Sequence, residues 1–157
     1  TKCEFNGRSY HDANSSYWLP NDDEESDRLT GQHFAIKTLF NGNIGQCVEK
    51  LVPLKTNAYV LDIGCASGCW LLDMATDYPN SHFVGVDISE TFPNSIRPPN
   101  TTFQLANVLD GLPFPNDTFD FINLRLFILA IKKDQWEDVF KEIYRVLKPG
   151  GCFQAIE

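Results

Sequence analysis

Val60-Leu-Asp-Ile-Gly-Cys-Ala-Ser-Gly68 is the stretch of sequence that decides the fold of this chain. It begins inside the short apolar run Tyr59–Ile63, which is typical of a strand buried in a parallel sheet. It ends in a turn with Gly64 and Gly68, where the backbone can adopt torsion angles closed to other residues and can approach a ligand closely. The stretch therefore predicts a buried strand followed by a ligand-binding turn.

Strands and helices alternate along the chain after residue 58. Apolar runs predict strands at Tyr59–Ile63, 82–86, Thr101–Leu105, 119–124 and 152–156. Helical spacing predicts one helix around Leu71, and a later one that Asp134 opens in a capping box with Glu137 and that Lys148-Pro-Gly-Gly151 ends. We therefore predict an α/β fold, a Rossmann-like, doubly wound, mostly parallel sheet of about five strands.

The first third of the chain has a different pattern, and we predict an N-terminal helical extension or lid over 1–53 and a core domain over 54–157. Asn21 is expected to cap the first helix in a capping box with Glu24, and Asn41-Gly42 should end it. A short second helix should end at Pro53. Two side chains of this extension, Tyr17 and His33, either cover the site or pack in the core.

Composition excludes several classes of function. A net charge of -8 disfavours binding to a phosphate backbone, so no nucleic-acid partner is expected. No apolar run is long enough to cross a bilayer, which predicts no membrane association and a cytoplasmic or nuclear location. The cysteines lack C-x-x-C spacing, which argues against a disulfide framework and against a metal site; they are Cys3, Cys47, Cys65, Cys69 and Cys152.

Two acidic residues are the main candidates for ligand binding. Asp62, two residues before Gly64, would repel a pyrophosphate and attract an ammonium group. Asp87 follows the next strand and can accept hydrogen bonds from both hydroxyls of a ribose, or it can cap the turn to Ser89. The polar residues at strand ends are expected to face one crevice; they are Asp62, Asp87, Asn107 and Asn123.

Four motifs, in order, resemble those of class I S-adenosylmethionine-dependent methyltransferases. They are Asp62-Ile-Gly-Cys-Ala-Ser-Gly68, Val86-Asp-Ile-Ser89, Leu112-Pro-Phe-Pro-Asn-Asp-Thr-Phe-Asp120 and Arg145-Val-Leu-Lys-Pro-Gly-Gly151. The segment from Tyr17 to His33 is similar to the fungal branch that includes LaeA-like regulators of secondary metabolism. The resemblance runs through the whole core domain.

The resemblance implies S-adenosylmethionine as the cofactor and a role for each matching position. The methionine part would lie against Asp62, Gly64, Ala66 and Gly68, the ribose against Asp87, and the adenine against Ile88, Asn107 and Val108. Arg125 either faces the cofactor carboxylate or a substrate, or forms a structural salt bridge. Ala66 stands where the family usually has a glycine, and Asn107 where many relatives have an aspartate. No catalytic residue is assigned.

Three functions remain open at this point. The first is methyl transfer to a small molecule or a protein, and the second is a silent regulator that binds the cofactor and a protein partner. The third, a nucleotide-dependent oxidoreductase, is disfavoured because positions 64, 66 and 68 are spaced two and two instead of two and three. The family usually has two more strands, so we expect a C-terminally truncated core: a fragment, a natural short form or a swapped assembly. Strand 152–156 would then be an apolar edge prone to aggregation or to pairing with another chain.

Overall fold

The structure is a computed structural model, and it describes residues 3–11 and 17–157. The strands are β1 (Cys3–Phe5), β2 (Arg8–Tyr10), β3 (Tyr59–Ile63), β4 (His82–Asp87), β5 (Thr101–Leu105), β6 (Phe119–Arg125) and β7 (Leu147–Ile156). The α-helices are α1 (Asp23–Leu39), α2 (Gln46–Leu51), α3 (Cys69–Asp77) and α4 (Trp136–Val146), and short 3₁₀ turns lie at Val108–Asp110 and Lys133–Gln135. No described helix has the length and apolarity needed to cross a bilayer.

The main sheet has five parallel strands in the order β5-β4-β3-β6-β7. The chain passes outward from β3 through β4 to β5 and then returns to place β6 on the other side of β3. This topology confirms the predicted doubly wound, Rossmann-like α/β fold. The strand order reverses at β3, so a crevice opens at the carboxyl ends of β3, β4 and β6, where such sheets bind ligands.

Each face of the sheet carries its own hydrophobic cluster. Leu61 and Ile63 of β3 pack on one face with Val139 and Ile143 of α4. On the other face Val60 packs with Trp70 and Leu71 of α3 and Val48 of α2. Because successive side chains of a strand point to opposite faces, the continuous apolar run of β3 is explained by a sheet covered on both sides.

The sequence predicted a helical N-terminal part, but the structure also contains strands there. Strands β1 and β2 form an antiparallel hairpin whose turn, Asn6-Gly7, has positive φ at both residues, 50° and 74°. Asn-Gly is a strong hairpin signal that the helical interpretation overlooked. The predicted cap of α1 is also wrong, because Asp22 instead of Asn21 accepts from the backbone N–H of Glu25 at 3.0 Å.

The region around α4 also differs from the prediction. Asp134 lies in a 3₁₀ turn, and the capping contact is made by Gln135, whose side chain accepts from the N–H of Lys132 at 3.0 Å. Lys148-Pro-Gly-Gly151 ends the helix but belongs to β7, with an irregularity in the pairing to β6. Pro149 is tolerated because β7 is an edge strand of the described sheet, where one side of the backbone needs no ladder hydrogen bond.

Candidate functional site

A cavity of about 980 Å³ lies at the carboxyl ends of β3, β4 and β6 and is covered by α1. Its volume is in the range of sites for small molecules and cofactors, about 300 to 1,000 Å³. The cavity brings together eight of the nine predicted site residues, namely Asp62, Gly64, Ala66, Asp87, Ile88, Asn107, Val108 and Arg125. Gly68 is the N-cap residue of α3 and does not line the cavity.

The loop after β3 is held in a conformation that requires small residues. The backbone N–H groups of Gly64 and Cys65 both donate to the carbonyl of Val86, at 2.8 and 3.0 Å, and so fix the loop to β4. Gly64 and Gly68 have φ of 70° and 77°, and a β-carbon on Gly64 would overlap the ring of Phe127. The glycines are therefore needed for backbone conformation and packing.

Ala66 has φ of 47°, in the left-handed region, although it is not a glycine. Its methyl group costs about 1–2 kcal/mol in this conformation. Its N–H donates to Asp87 Oδ2 at 2.8 Å, which helps to hold the strained residue in place.

Asp62 lies at the buried end of the cavity and is only 5% exposed. Its Oδ1 accepts from Asn123 Nδ2 at 2.8 Å, and Asn123 Oδ1 in turn accepts from Gln154 Nε2 at 3.1 Å. Asn123 is fully buried behind Asp62, so the prediction that it faces the crevice is wrong. Burial raises the pKa of Asp62 to about 7, against the opposing effects of the nearby Arg125 charge and the Asn123 hydrogen bond.

The position of Asp87 is compatible with both roles considered from the sequence, the cap of a turn and the acceptor for a ribose. Its Oδ1 accepts from the N–H of Ser89 at 2.9 Å, as a turn aspartate does, and its Oδ2 accepts from the N–H of Ala66. A carboxylate has about four acceptor positions, so these two bonds leave capacity for a ligand. Burial raises the pKa of Asp87, and the two backbone donors oppose the rise.

Asn107 lines the other end of the cavity near Ile88, whose side chain is 45% exposed. The Asn107 side chain caps the turn Val108–Asp110, because its Oδ1 accepts from the N–H of Leu109 at 3.1 Å and its Nδ2 donates to Asp110 Oδ2 at 2.9 Å. This local role orients the residue that stands where relatives have an aspartate.

The wall formed by α1 contains His33, which is 2% exposed and lines the cavity. Its Nδ1 lies 3.2 Å from Arg125 Nη2, and its Nε2 lies 3.1 Å from Asp73 Oδ2. His33 is thus a buried side chain that also lines the cavity. Tyr17 lines the same cavity.

His11 is a cavity residue that the sequence did not reveal. Its Nδ1 lies 2.8 Å from Ser89 Oγ, and its ring meets Tyr17 edge-on with 5.2 Å between centroids. The two hydrogen-bonded residues are 78 positions apart, and no local pattern marks either of them. The hairpin end therefore contributes to the part of the cavity next to Asp87.

The described residues contain no group of three or more His, Cys, Asp or Glu side chains arranged to hold a metal ion. Residues 60–151 match a family described as "Methyltransferase domain". The chain belongs to this methyltransferase family. The match includes β3 to β6, α4 and the loop of β3, and so covers most of the structure that surrounds the cavity.

The chain is also similar to LaeA proteins of fungi. "Secondary metabolism regulator laeA" of Aspergillus fumigatus is 32% identical over 97% of the chain and 39% of that protein. "Protein-methionine methyltransferase laeA" of Emericella nidulans is 31% identical over 98% of the chain and 40% of that protein. The chain thus spans about two fifths of the length of these relatives.

A solved structure with the same fold is PKMT2 from Rickettsia typhi in complex with AdoHcy. It is 28% identical, has a TM-score of 0.54 and covers 65% of this chain, which in turn covers 21% of that one. Together with the family match, these comparisons confirm the predicted methyltransferase family and its Rossmann-like fold.

Proposed function

We propose that this chain binds S-adenosylmethionine in the cavity over β3, β4 and β6 and directs its methyl group to a small-molecule or protein acceptor. The observation that carries the proposal is the pair Asp62 and Arg125, two opposite charges close together at the buried end of the cavity. The methionine part of the cofactor carries an ammonium group and a carboxylate. The pair therefore offers each of these charges a partner of opposite sign.

The residues present fit the rest of the cofactor as well. The backbone at Gly64 and Ala66 can lie directly against the methionine part, and Gly68 ends the loop as the N-cap residue of α3. Asp87 has acceptor capacity for the two ribose hydroxyls. Ile88 and Val108 offer apolar surface to the adenine, and Asn107 stands near its amino group.

The chain's own contribution to methyl transfer is alignment and exclusion of water. The bound sulfonium supplies a methyl group that is already activated, so the protein need not form a covalent intermediate. Helix α1 and the segment around Phe127 both line the cavity. Holding an acceptor in line with the methyl group in such a cavity supplies acceleration through proximity and orientation. We propose residues 1–53 as the lid and 54–157 as the cofactor-binding core.

A protein acceptor is supported by the name of the Emericella nidulans relative, a protein-methionine methyltransferase. The one methionine of this chain, Met74, lies on the buried face of α3 and is 1% exposed. A methionine acceptor would therefore lie on another molecule.

A second candidate is a regulator that binds the cofactor and a protein partner without turnover. The name of the Aspergillus fumigatus relative, a secondary metabolism regulator, favours it. For either candidate we propose a cytoplasmic or nuclear location, supported by the free thiols of Cys47, Cys65, Cys69 and Cys152. The acidic composition supports the absence of a nucleic-acid partner.

Calorimetry with three ligands tests the proposal. We expect S-adenosylmethionine and S-adenosylhomocysteine to bind and NAD not to bind. Binding of NAD alone would replace the proposal with the oxidoreductase alternative. Transfer of a labelled methyl group to peptides or small molecules then separates an enzyme from a silent regulator.

A further inference from the structure

A partly buried cluster of charged and polar side chains joins α1, α3 and β6 beside the cavity. Asp73 Oδ2 accepts three hydrogen bonds, from Lys37 Nζ at 2.6 Å, Asn43 Nδ2 at 2.8 Å and His33 Nε2 at 3.1 Å. Burial acts in the other direction, but these donors keep the pKa of Asp73 below its ordinary value. Asp73 is therefore an ionised, fixed acceptor for His33.

The contacts of His33 determine its tautomer. A guanidinium can only donate hydrogen bonds, so His33 Nδ1 accepts from Arg125 Nη2 at 3.2 Å. Its proton then lies on Nε2 and is donated to Asp73. Burial lowers the pKa of His33, the hydrogen bond to Asp73 opposes this, and the charges of Arg125 and Lys37 act in the same direction as burial. The bond that Nδ1 accepts from Arg125 requires a neutral imidazole.

The direction of the Arg125 side chain needs an explanation. Its charge acts on Asp62, yet among the described residues its hydrogen-bond partner is His33 and not Asp62. A direct ion pair would neutralise both groups and leave neither for a ligand. The bond to His33 keeps the guanidinium beside Asp62 without closing the pair.

We propose that His33 is a positioning residue: Asp73 fixes its ring, and the ring holds Arg125 so that the guanidinium meets the carboxylate of the methionine part. This inference rests on the proposed function. Helix α1 then contributes to the cofactor site through the contact between His33 and Arg125, which are 92 positions apart.

The test compares a ligand that has the amino-acid part of the cofactor with one that lacks it. S-adenosylhomocysteine carries the carboxylate that Arg125 would meet and the ammonium group that Asp62 would meet, and 5′-methylthioadenosine keeps the adenosine and sulfur but lacks both. In the intact chain, we expect His33→Phe to weaken S-adenosylhomocysteine by about five- to tenfold, because one charge-assisted hydrogen bond is lost, and to leave 5′-methylthioadenosine unchanged. His33→Gln should recover part of the affinity because its amide both accepts and donates.

His82→Phe is the matched control, since His82 is exposed at the start of β4, away from the cavity. Equal weakening of both ligands by His33→Phe, or no weakening of either, would overturn the positioning role. Failure of the unmodified chain to bind S-adenosylhomocysteine would instead refute the proposed function. Nitrogen-15 chemical shifts of His33 test the geometry without any variant: protonation at Nε2 alone is expected, and protonation at Nδ1 would overturn it.

Discussion

At the scale of single residues, Asp87 offers the strongest test of the cofactor site. Asp87→Ala should weaken S-adenosylmethionine binding by more than about tenfold, because hydrogen bonds to a charged acceptor are worth roughly 1.5–3 kcal/mol each. Calorimetry measures the dissociation constant, and Asp77→Ala at the end of α3 serves as the control. An unchanged constant for Asp87→Ala would remove the ribose assignment.

The buried carboxyl of Asp62 makes cofactor binding depend on pH. Its pKa of about 7 results chiefly from burial, with Arg125 and Asn123 lowering it and Asp87 raising it. Because the pKa is raised, the carboxyl becomes protonated as the pH falls through about 7 and can no longer pair with an ammonium group. Affinity should therefore fall between about pH 8 and about pH 6, by up to roughly tenfold per pH unit below the pKa.

Titration calorimetry at several pH values measures this dependence. Asp62→Asn is the control, because it cannot ionise and should lose the part of the pH dependence that Asp62 causes. A wild-type affinity that stays constant over the same range would contradict an ionised Asp62 as the ammonium partner.

Ala66 is a strained position that a glycine should relieve. Ala66→Gly should leave the free energy of unfolding unchanged or raise it by up to about 1 kcal/mol, since relief of the left-handed conformation is partly offset by backbone entropy. Ala66→Val should lower it by at least about 1 kcal/mol because a β-branched residue is poorly tolerated at positive φ. Urea denaturation checks both, and a glycine variant less stable than the valine variant would contradict the strain.

At the scale of elements, the motif around Arg145 is explained by docking of α4. The guanidinium donates to the carbonyls of Phe114 at 2.7 Å and Leu112 at 2.9 Å, and its Nε donates to Glu142 Oε2 at 2.8 Å. Glu142 also accepts from the N–H of Leu112 at 2.5 Å. The pair Arg145 and Glu142 thus connects the loop before β6 to α4.

Arg145→Lys should lower the free energy of unfolding by about 1–2 kcal/mol, because an ammonium group cannot make all of these bonds and the site is partly exposed. Arg97→Lys, on an exposed loop, should change it by less than about 0.5 kcal/mol. Chemical denaturation measures both. Equal effects of the two substitutions would show that the hydrogen bonds of Arg145 add no stability.

Local sequence patterns predicted most elements of the core but not their exact ends. Tyr59–Ile63 was predicted with the observed bounds because a short apolar run has few other stable environments. Thr101–Leu105 was also predicted with the observed bounds, although it alternates polar and apolar residues. The cap of α1 was displaced by one residue because Arg8, far along the chain, binds Asp22 at 2.6 Å and fixes it at the helix start. Tertiary contacts of this kind have no local signal.

At the scale of the whole molecule, the sequence predicted those residues of the candidate site that follow strands of the sheet. Asp62 and Asp87 follow buried strands, and parallel topology brings such residues together. The roles of His11 and His33 depend on how the N-terminal part folds over the sheet, and the sequence does not encode that contact in any spacing.

The outer edge of the sheet should allow self-association. Strand β7 is the last strand of the described sheet on that side, and its residues are exposed or partly exposed. We expect sedimentation equilibrium of this chain to show concentration-dependent association that Ala155→Lys weakens, because a charge on an edge strand opposes pairing. Ile96→Lys, at a side chain 91% exposed on a loop, is the matched control. A monomer at all concentrations would contradict pairing through this edge.

The amide of Gln154 has a consequence for a carboxyl two strands away. An amide presents a donor at one atom and an acceptor at the other, so the orientation of Gln154 determines that of Asn123 and thereby the N–H that faces Asp62. A carboxylate at position 154 would favour the reverse orientation of Asn123 and bring two oxygens together at Asp62. A residue at the margin of the sheet can thus tune the acidity of its centre through dipoles alone.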